Sequence, residues 1–177
     1  MRSLLKSKKG LSTVVTTLII LVVSVLLATV VTYYAINMTT TRVQEENLKI
    51  TKAHIWTDST PVAQAAFVIV NIGGRDTLID KIQVRGQDIN WDEYSVYYNR
   101  TSASTRELNI MNFSASPWPT GFQNATDDLS LKSGECLVIY IENPGTISVE
   151  DIGVTCSITV FTASAQYKVE VNVESAS

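Results

Sequence analysis

Charge is missing where a soluble protein could least do without it: no Asp, Glu, Lys or Arg occurs from Gly10 to Thr41. Glycine and proline are missing as well, since neither occurs between Leu11 and Thr60, so nothing in that stretch breaks a helix. Cysteine appears twice and histidine once in 177 residues, too few for a four-ligand Cys/His metal site. Positive charge is short overall, with 14 basic against 17 acidic side chains, so the chain lacks a nucleic-acid footprint. No Gly-x-Ser-x-Gly, Walker-type or Gly-x-Gly-x-x-Gly string occurs. The acidic pairs Asp92-Glu93, Asp127-Asp128 and Glu150-Asp151 lack the ligand spacing of a calcium loop and read as solvated turns. With a single histidine, His54, only one centre for nucleophilic catalysis could be built. It falls in the alternation Ile50, Lys52, His54, Trp56, which reads as an ordinary strand. The expectation is a protein without enzymatic activity, cofactor or resident metal.

What is present is unevenly placed. Hydrophobic residues make up 45% of the chain, ample for a core, so a disordered chain is excluded. Residues 1–9 carry Arg2, Lys6, Lys8 and Lys9 and no acid. The apolar stretch Leu11–Met38 would extend about 42 Å as a helix, more than the roughly 20 residues a bilayer core requires. It is too long for a secretory signal, whose apolar stretch is about 7–15 residues. The basic cluster places residues 1–9 in the cytoplasm and everything after the helix outside. Helix is expected to continue through Asn47, with the threonine run after Met38 as its weakest point.

Within the apolar stretch Thr13, Thr17, Ser24, Ala28, Thr32 and Ala35 recur at spacings of four, seven, four, four and three, which sets them on one helical stripe. Small and hydroxyl residues on one face let helices approach closely. Alternatively, each hydroxyl bonds back to its own helix.

The string Lys8-Lys9-Gly10 followed by Leu11-Ser12-Thr13-Val14-Val15 and a long apolar run resembles the class III signal peptide of archaeal type IV pilins and archaellins. The resemblance implies a membrane aspartyl peptidase cutting between Gly10 and Leu11, leaving the apolar helix as the mature N-terminus. Bacterial type IV pilins carry glutamate as the fifth residue after the cut. Val15 stands there in this chain, which points to the archaeal branch. Removing residues 1–10 deletes four positive charges and leaves 10 basic against 17 acidic side chains.

Beyond the helix, short apolar alternations are separated by turn residues. Strands are expected near 50–57, 65–72, 78–85, 94–99, 107–110, 135–142, 154–162 and 166–173, and a long surface loop over 111–128. The pattern predicts an α+β chain: a long N-terminal hydrophobic helix followed by an all-β sandwich. Phe67 to Gly74 with the following Leu78–Val84, and the turn Leu131-Lys132-Ser133-Gly134-Glu135, resemble immunoglobulin-like domains of archaeal surface proteins. The hairpin Val154–Val173 resembles the C-terminal hairpin of pilins. The domain reading is a cleaved leader 1–10, a filament-core or transmembrane helix 11–48, and an extracellular β domain 49–177.

Cys136 and Cys156, on the outer side of a membrane, are expected to form a disulfide worth roughly 3 kcal/mol. The alternative is two buried thiols. Of four Asn-x-Ser/Thr sequons, Asn99, Asn112 and Asn124 are glycosylation candidates because they lie in or beside the expected loop, whereas Asn37 reads as part of a packing helix. Trp56, Trp91, Trp118 and the tyrosines at 94, 97 and 98 suit either a sugar-binding surface or ordinary packing.

Taken with the resemblance, the chain reads as a structural subunit of an archaeal pilus-like extracellular filament, a homo-oligomer polymerising through its helix, for adhesion or surface attachment. The partners implied are the prepilin peptidase, an assembly ATPase and a membrane platform protein, with the membrane itself before assembly and no nucleic acid. An archaellin, a minor pilin and a permanently anchored, monomeric surface-binding module are the alternatives.

Overall fold

The computed structural model describes residues 4–43, 45–58, 63–91, 95–100, 107–114, 117 and 119–176. The chain divides into two units, at residues 1–43 and 44–177, each taken by itself below.

The first unit is one helix, α1 (Leu4–Val43). Its valines, isoleucines and threonines are only moderate helix formers in water. In hydrocarbon, however, a helix satisfies every backbone group internally, and no charge interrupts Gly10–Thr41, whose most apolar 18-residue stretch has a mean hydropathy of 2.9. At the threonine run, read as the weakest point of the helix, Thr39, Thr40 and Thr41 remain helical. Their hydroxyls donate to the carbonyls of Ala35, Ile36 and Asn37 at 2.8, 2.9 and 2.8 Å. The helix ends at Val43, short of the expected Asn47.

Residues 45–47 belong instead to the second unit, because that unit captures them. The Ile72 and Gly73 amides both donate to the Asn47 carbonyl, the Tyr167 hydroxyl donates to the Glu46 carbonyl, and the Thr162 hydroxyl donates to the Glu46 carboxylate. Gly73 lies so close beneath this segment that a Cβ there would sit 2.6 Å from the Glu45 oxygen and 2.7 Å from the Asn47 nitrogen.

The second unit contains β1 (Leu48–Thr57), β2 (Gln64–Asn71), β3 (Thr77–Val84), β4 (Gln87–Asp88), β5 (Val96–Arg100), β6 (Gln123–Asn124), β7 (Leu129–Leu131), β8 (Cys136–Glu142), β9 (Thr155–Thr162) and β10 (Gln166–Ser175), with a 3-10 turn at Val149–Asp151. They form one curled sheet in the order β4-β3-β9-β10-β1-β2-β8-β5-β6, with β7 paired to β3 and two-residue strands at both ends of the order. All pairs are antiparallel except β1 with β10, which run parallel over Ile55–Thr57 and Val173–Ser175. The sheet is therefore mixed and continuous, where a sandwich of two sheets was expected. Residues 107–112, expected to include a strand, form none.

Two hydrophobic clusters follow from the pleat. Inside the curl, Ala65, Phe67 and Ile69 of β2 and Leu137, Ile139 and Ile141 of β8 meet Ile79 and Ile82 of β3 and Ile158 and Val160 of β9. On the outer face of the same two strands, Ala66, Val68, Val138 and Tyr140 pack under Leu108, Phe113 and Phe122. Strands covered on both faces read as unbroken apolar runs, and so do these two.

Candidate functional site

The first candidate is the helix surface. Every described side chain from Gly10 to Thr41 is exposed in the single chain. At 100° per residue, the stripe Thr13, Thr17, Ser24, Ala28, Thr32 and Ala35 falls within an arc of about 100°. Thr17, Ser24 and Thr32 donate to the carbonyls of Val14, Ile20 and Ala28 at 2.9, 2.7 and 2.7 Å. Their hydroxyls are thus satisfied within the helix, the alternative left open by the sequence, so the stripe offers close approach rather than obligatory bonds across it. The bond between Gly10 and Leu11 lies inside α1, because the helix starts at Leu4. A Cβ on Gly10 would meet nothing within 4 Å, so the fold does not demand glycine there. The backbone of Lys8 and Lys9 is helical; their side chains lie outside the description.

The second candidate is a cleft on the outer face of the β unit. A bulge in β1 between Thr51 and His54, with Lys52 at φ 50°, creates it. The extra residue reverses the side-chain alternation. Ile50 and Ile55 both face the inner core, while Trp56 joins the outer cluster. The expected alternation placing Ile50, Lys52, His54 and Trp56 on one face is therefore broken. His54 lies flat against Trp56, with ring centroids 5.2 Å apart and planes 5° apart, and its Nδ1 is 3.3 Å from Glu174 Oε1.

Opposite these residues runs the segment 107–114, held by side-chain bonds. The Gln64 amide exchanges two bonds with the Met111 backbone, at 2.8 and 2.9 Å, much as a strand neighbour would. The Tyr140 hydroxyl donates to the Asn109 carbonyl at 2.9 Å. Phe113, expected in a surface loop, is 1% exposed and stacks on Tyr97 with centroids 4.1 Å apart. Burial raises the pKa of Glu142, although its carboxylate accepts the Phe113 amide. Three adjoining hollows of about 340, 430 and 350 Å³ result, and Trp56, His54, Leu108, Asn109 and Ile110 line their shared parts. Sequence reasoning passed over Gln64, Tyr140 and Glu142; the only signal was a polar residue at each end of an apolar run.

The remaining expectations separate. Cys136 and Cys156 are free, buried thiols, not the disulfide expected. The pleat is the reason: Cys136 sits in the outer cluster with Val138 and Tyr140, Cys156 in the inner core with Ile158 and Val160. Burial raises the pKa of the Cys136 thiol. Trp56 and Tyr97 belong to the outer cluster, whereas Trp91 packs against the inner one and donates to the Asp80 carbonyl at 2.8 Å, so they share no platform. Trp118, Tyr94, Asp92 and Glu93 lie outside the described residues. Asp151 is held below its ordinary pKa by the Ser148 amide and hydroxyl and by Arg85, whose Nη1 is 2.9 Å away. Glu135 is lowered likewise by the Lys132 amide and Arg100. Both carboxylates are spent on the fold. Among the described residues, no three of His, Cys, Asp and Glu gather as metal ligands would. Asn112 is exposed, while Asn99 and Asn124 are half-buried.

No protein-family profile and no curated protein matches the chain. Among solved structures, it is similar to the apo PCuAC domain of PmoF2, with 13% identity over 75% of this chain and 96% of that one and a TM-score of 0.44. It is also similar to part of a β-glucosidase from Listeria innocua in complex with isofagomine, with 17% identity, 73% of this chain against 16% of that one, and a TM-score of 0.29. Spo0M, a sporulation control protein from Bacillus subtilis, matches with 10% identity over 73% of this chain and 49% of that one, at a TM-score of 0.32. Likenesses this remote carry no inference about chemistry.

Proposed function

We propose that the chain is a structural subunit of an extracellular filament of the archaeal type IV pilus superfamily, for adhesion or surface attachment, and that it catalyses no reaction. The observation that carries this reading is the helix. Thirty-two consecutive uncharged residues, Gly10–Thr41, are rich in leucine, isoleucine and valine, and the side chains of the helix are exposed along this whole length. Such a surface is stable in lipid or against copies of itself, at about 25 cal/mol per Å² removed from water. Cutting on the basic side of Leu11 would remove the cytoplasmic anchor and release the helix to make that exchange. Gly10 fits the role, since a recognition sequence and not the fold explains a glycine with open space around it. The β unit, with its own core, would form an immunoglobulin-like outer wall. The prepilin peptidase, an assembly ATPase and a membrane platform protein would act during assembly.

N-terminal sequencing of the surface-exposed protein, with electron microscopy of sheared surface material, tests this. A start at Leu11 in fibres is expected; a functional form retaining Met1–Lys9 would defeat the reading. Gly10→Val and Lys9→Glu should leave unprocessed precursor in the membrane. A second reading, a permanently anchored monomeric binding module, draws on the cleft beside Trp56. It requires that intact N-terminus and no fibres. An archaellin would differ from a pilus subunit in yielding filaments that rotate.

A further inference from the structure

The geometry points to Asn112 as the residue that carries an N-linked glycan, with Asn99 and Asn124 unmodified despite equally good sequons. The chemistry of attachment sets the criteria. A new bond forms between the asparagine Nδ2 and C1 of the first sugar of a lipid-phosphate-linked oligosaccharide. The C1–O bond to that phosphate breaks, the phosphate leaves with the bonding electrons, and the amide gives up one proton. The product places a bulky, hydrated group directly on Nδ2, so the folded chain must leave that nitrogen room on its outer surface.

At Asn124 it does not. The residue is half-buried in β6, between the buried Phe122 and Ala125, and its Oδ1 is enclosed by protein with no hydrogen-bond partner. At Asn99 the obstacle is the turn ending in Gly121. A Cβ at position 121 would lie 2.9 Å from Asn99 Nδ2, so the very atom that would bear sugar is packed against that backbone. Gly121, with φ +86°, leaves space for the amide where a side chain would collide with it.

Asn112 differs from both. Its side chain is exposed, and the residue between it and Ser114 is the deeply buried Phe113, so the sequon straddles an anchor with its two functional ends outside. The Ser114 amide donates to Asn112 Oδ1 at 3.0 Å, which fixes the carboxamide plane and draws the third sequon residue towards it. The Gln64 clip on Met111 holds the preceding residue. Asn112 also lines the hollow bounded by Trp56, Gln64 and Glu142, so a glycan rooted there stands at the mouth of the cleft. The inference needs the β unit to face outwards, as the filament reading has it, but not that the chain polymerises.

The test is intact-mass and glycopeptide analysis of the full-length protein from the cell surface of its native host. The unsubstituted protein should show one glycan, on the peptide containing Asn112. Asn112→Gln and Ser114→Ala should each lose its whole mass, the second while keeping the backbone amide that Asn112 accepts from. Ser114→Thr, Asn99→Gln and Asn124→Gln should keep it. Sugar mapped to Asn99 or Asn124, sugar surviving Asn112→Gln, or an unsubstituted protein without sugar would each overturn the assignment. Glycopeptide mapping of the unsubstituted chain decides the matter even if a variant fails to fold. A Leu11 start with no sugar at Asn112 would leave the filament reading standing and remove this one.

Discussion

In β2, Ala65 through Ile69 are sealed on both faces, by the inner core and by the cover of Leu108, Phe113 and Phe122. In α1, Leu18 through Leu27 are leucine, isoleucine and valine apart from Ser24, yet every one lies open. Apolar side chains thus serve two ends. The β unit answers its own demand for burial, and its stability is an intramolecular quantity. The helix, taken by itself, leaves the same demand open, and lipid or other helices are the kinds of surface that would meet it. Substitutions should sort by region accordingly, and the following measurements would sharpen or break that division.

The largest effect is expected from charging the helix. Ser24→Asp places a carboxylate mid-way along Gly10–Thr41, at a cost of about 3 kcal/mol at the centre of a membrane helix. If the proposed filament forms, its yield by electron microscopy should fall to nothing, while the denaturant midpoint of the β unit, followed by tryptophan fluorescence, stays put. Normal filaments would break the comparison. Next is Phe67→Ala, which empties a fully buried site in the inner core. The β unit should lose about 3–5 kcal/mol in the same unfolding experiment, with N-terminal processing at Leu11 unaltered. Gly73→Ala should cost about 1–3 kcal/mol, because its Cβ meets the backbone of Glu45 and Asn47 and not a side chain that could turn aside.

The smallest effect concerns Glu142, whose pKa burial raises above the ordinary 4.5. A carboxyl that binds its proton more tightly when folded contributes stability fully present below pH 4.5. That contribution is lost as pH rises through the raised value. Glu142→Gln should therefore gain on the parent in denaturant midpoint as pH is taken from about 4 to about 7. A constant difference would mean that the enclosed charge costs nothing. Glu135 and Asp151 work in the opposite sense: each is lowered, and each gives support that fades in acid in both proteins.

The two regions also differed in how much could be read in advance. The helix was plain because composition alone decides it: no charge, no breaker and sufficient length. Its end was misplaced, since Glu45 to Asn47 have good local reasons to remain helical and leave only because Thr162 and Tyr167, far along the chain, hold Glu46. The longer strands declared themselves by apolar runs between turns. The bulge at Lys52 did not, because a left-handed lysine has no sequence mark, and one added residue was enough to send Trp56 to the opposite face. The cysteines failed on the same count. Position on neighbouring apolar runs was legible, but which face each thiol takes depends on how the sheet curls. Two-residue strands such as β4 and β6 are too short to make a pattern at all.

Those two short strands have a use of their own. A sheet that ended in a long ladder of free amides and carbonyls would invite its neighbour's ladder, and many copies held side by side would knit laterally into aggregate. Here the sheet tapers to Gln87–Asp88 at one margin and Gln123–Asn124 at the other, polar stubs with little backbone to offer. Crowded at high local concentration, such domains can jostle without zipping together, and in the proposed filament order would be left to the helices.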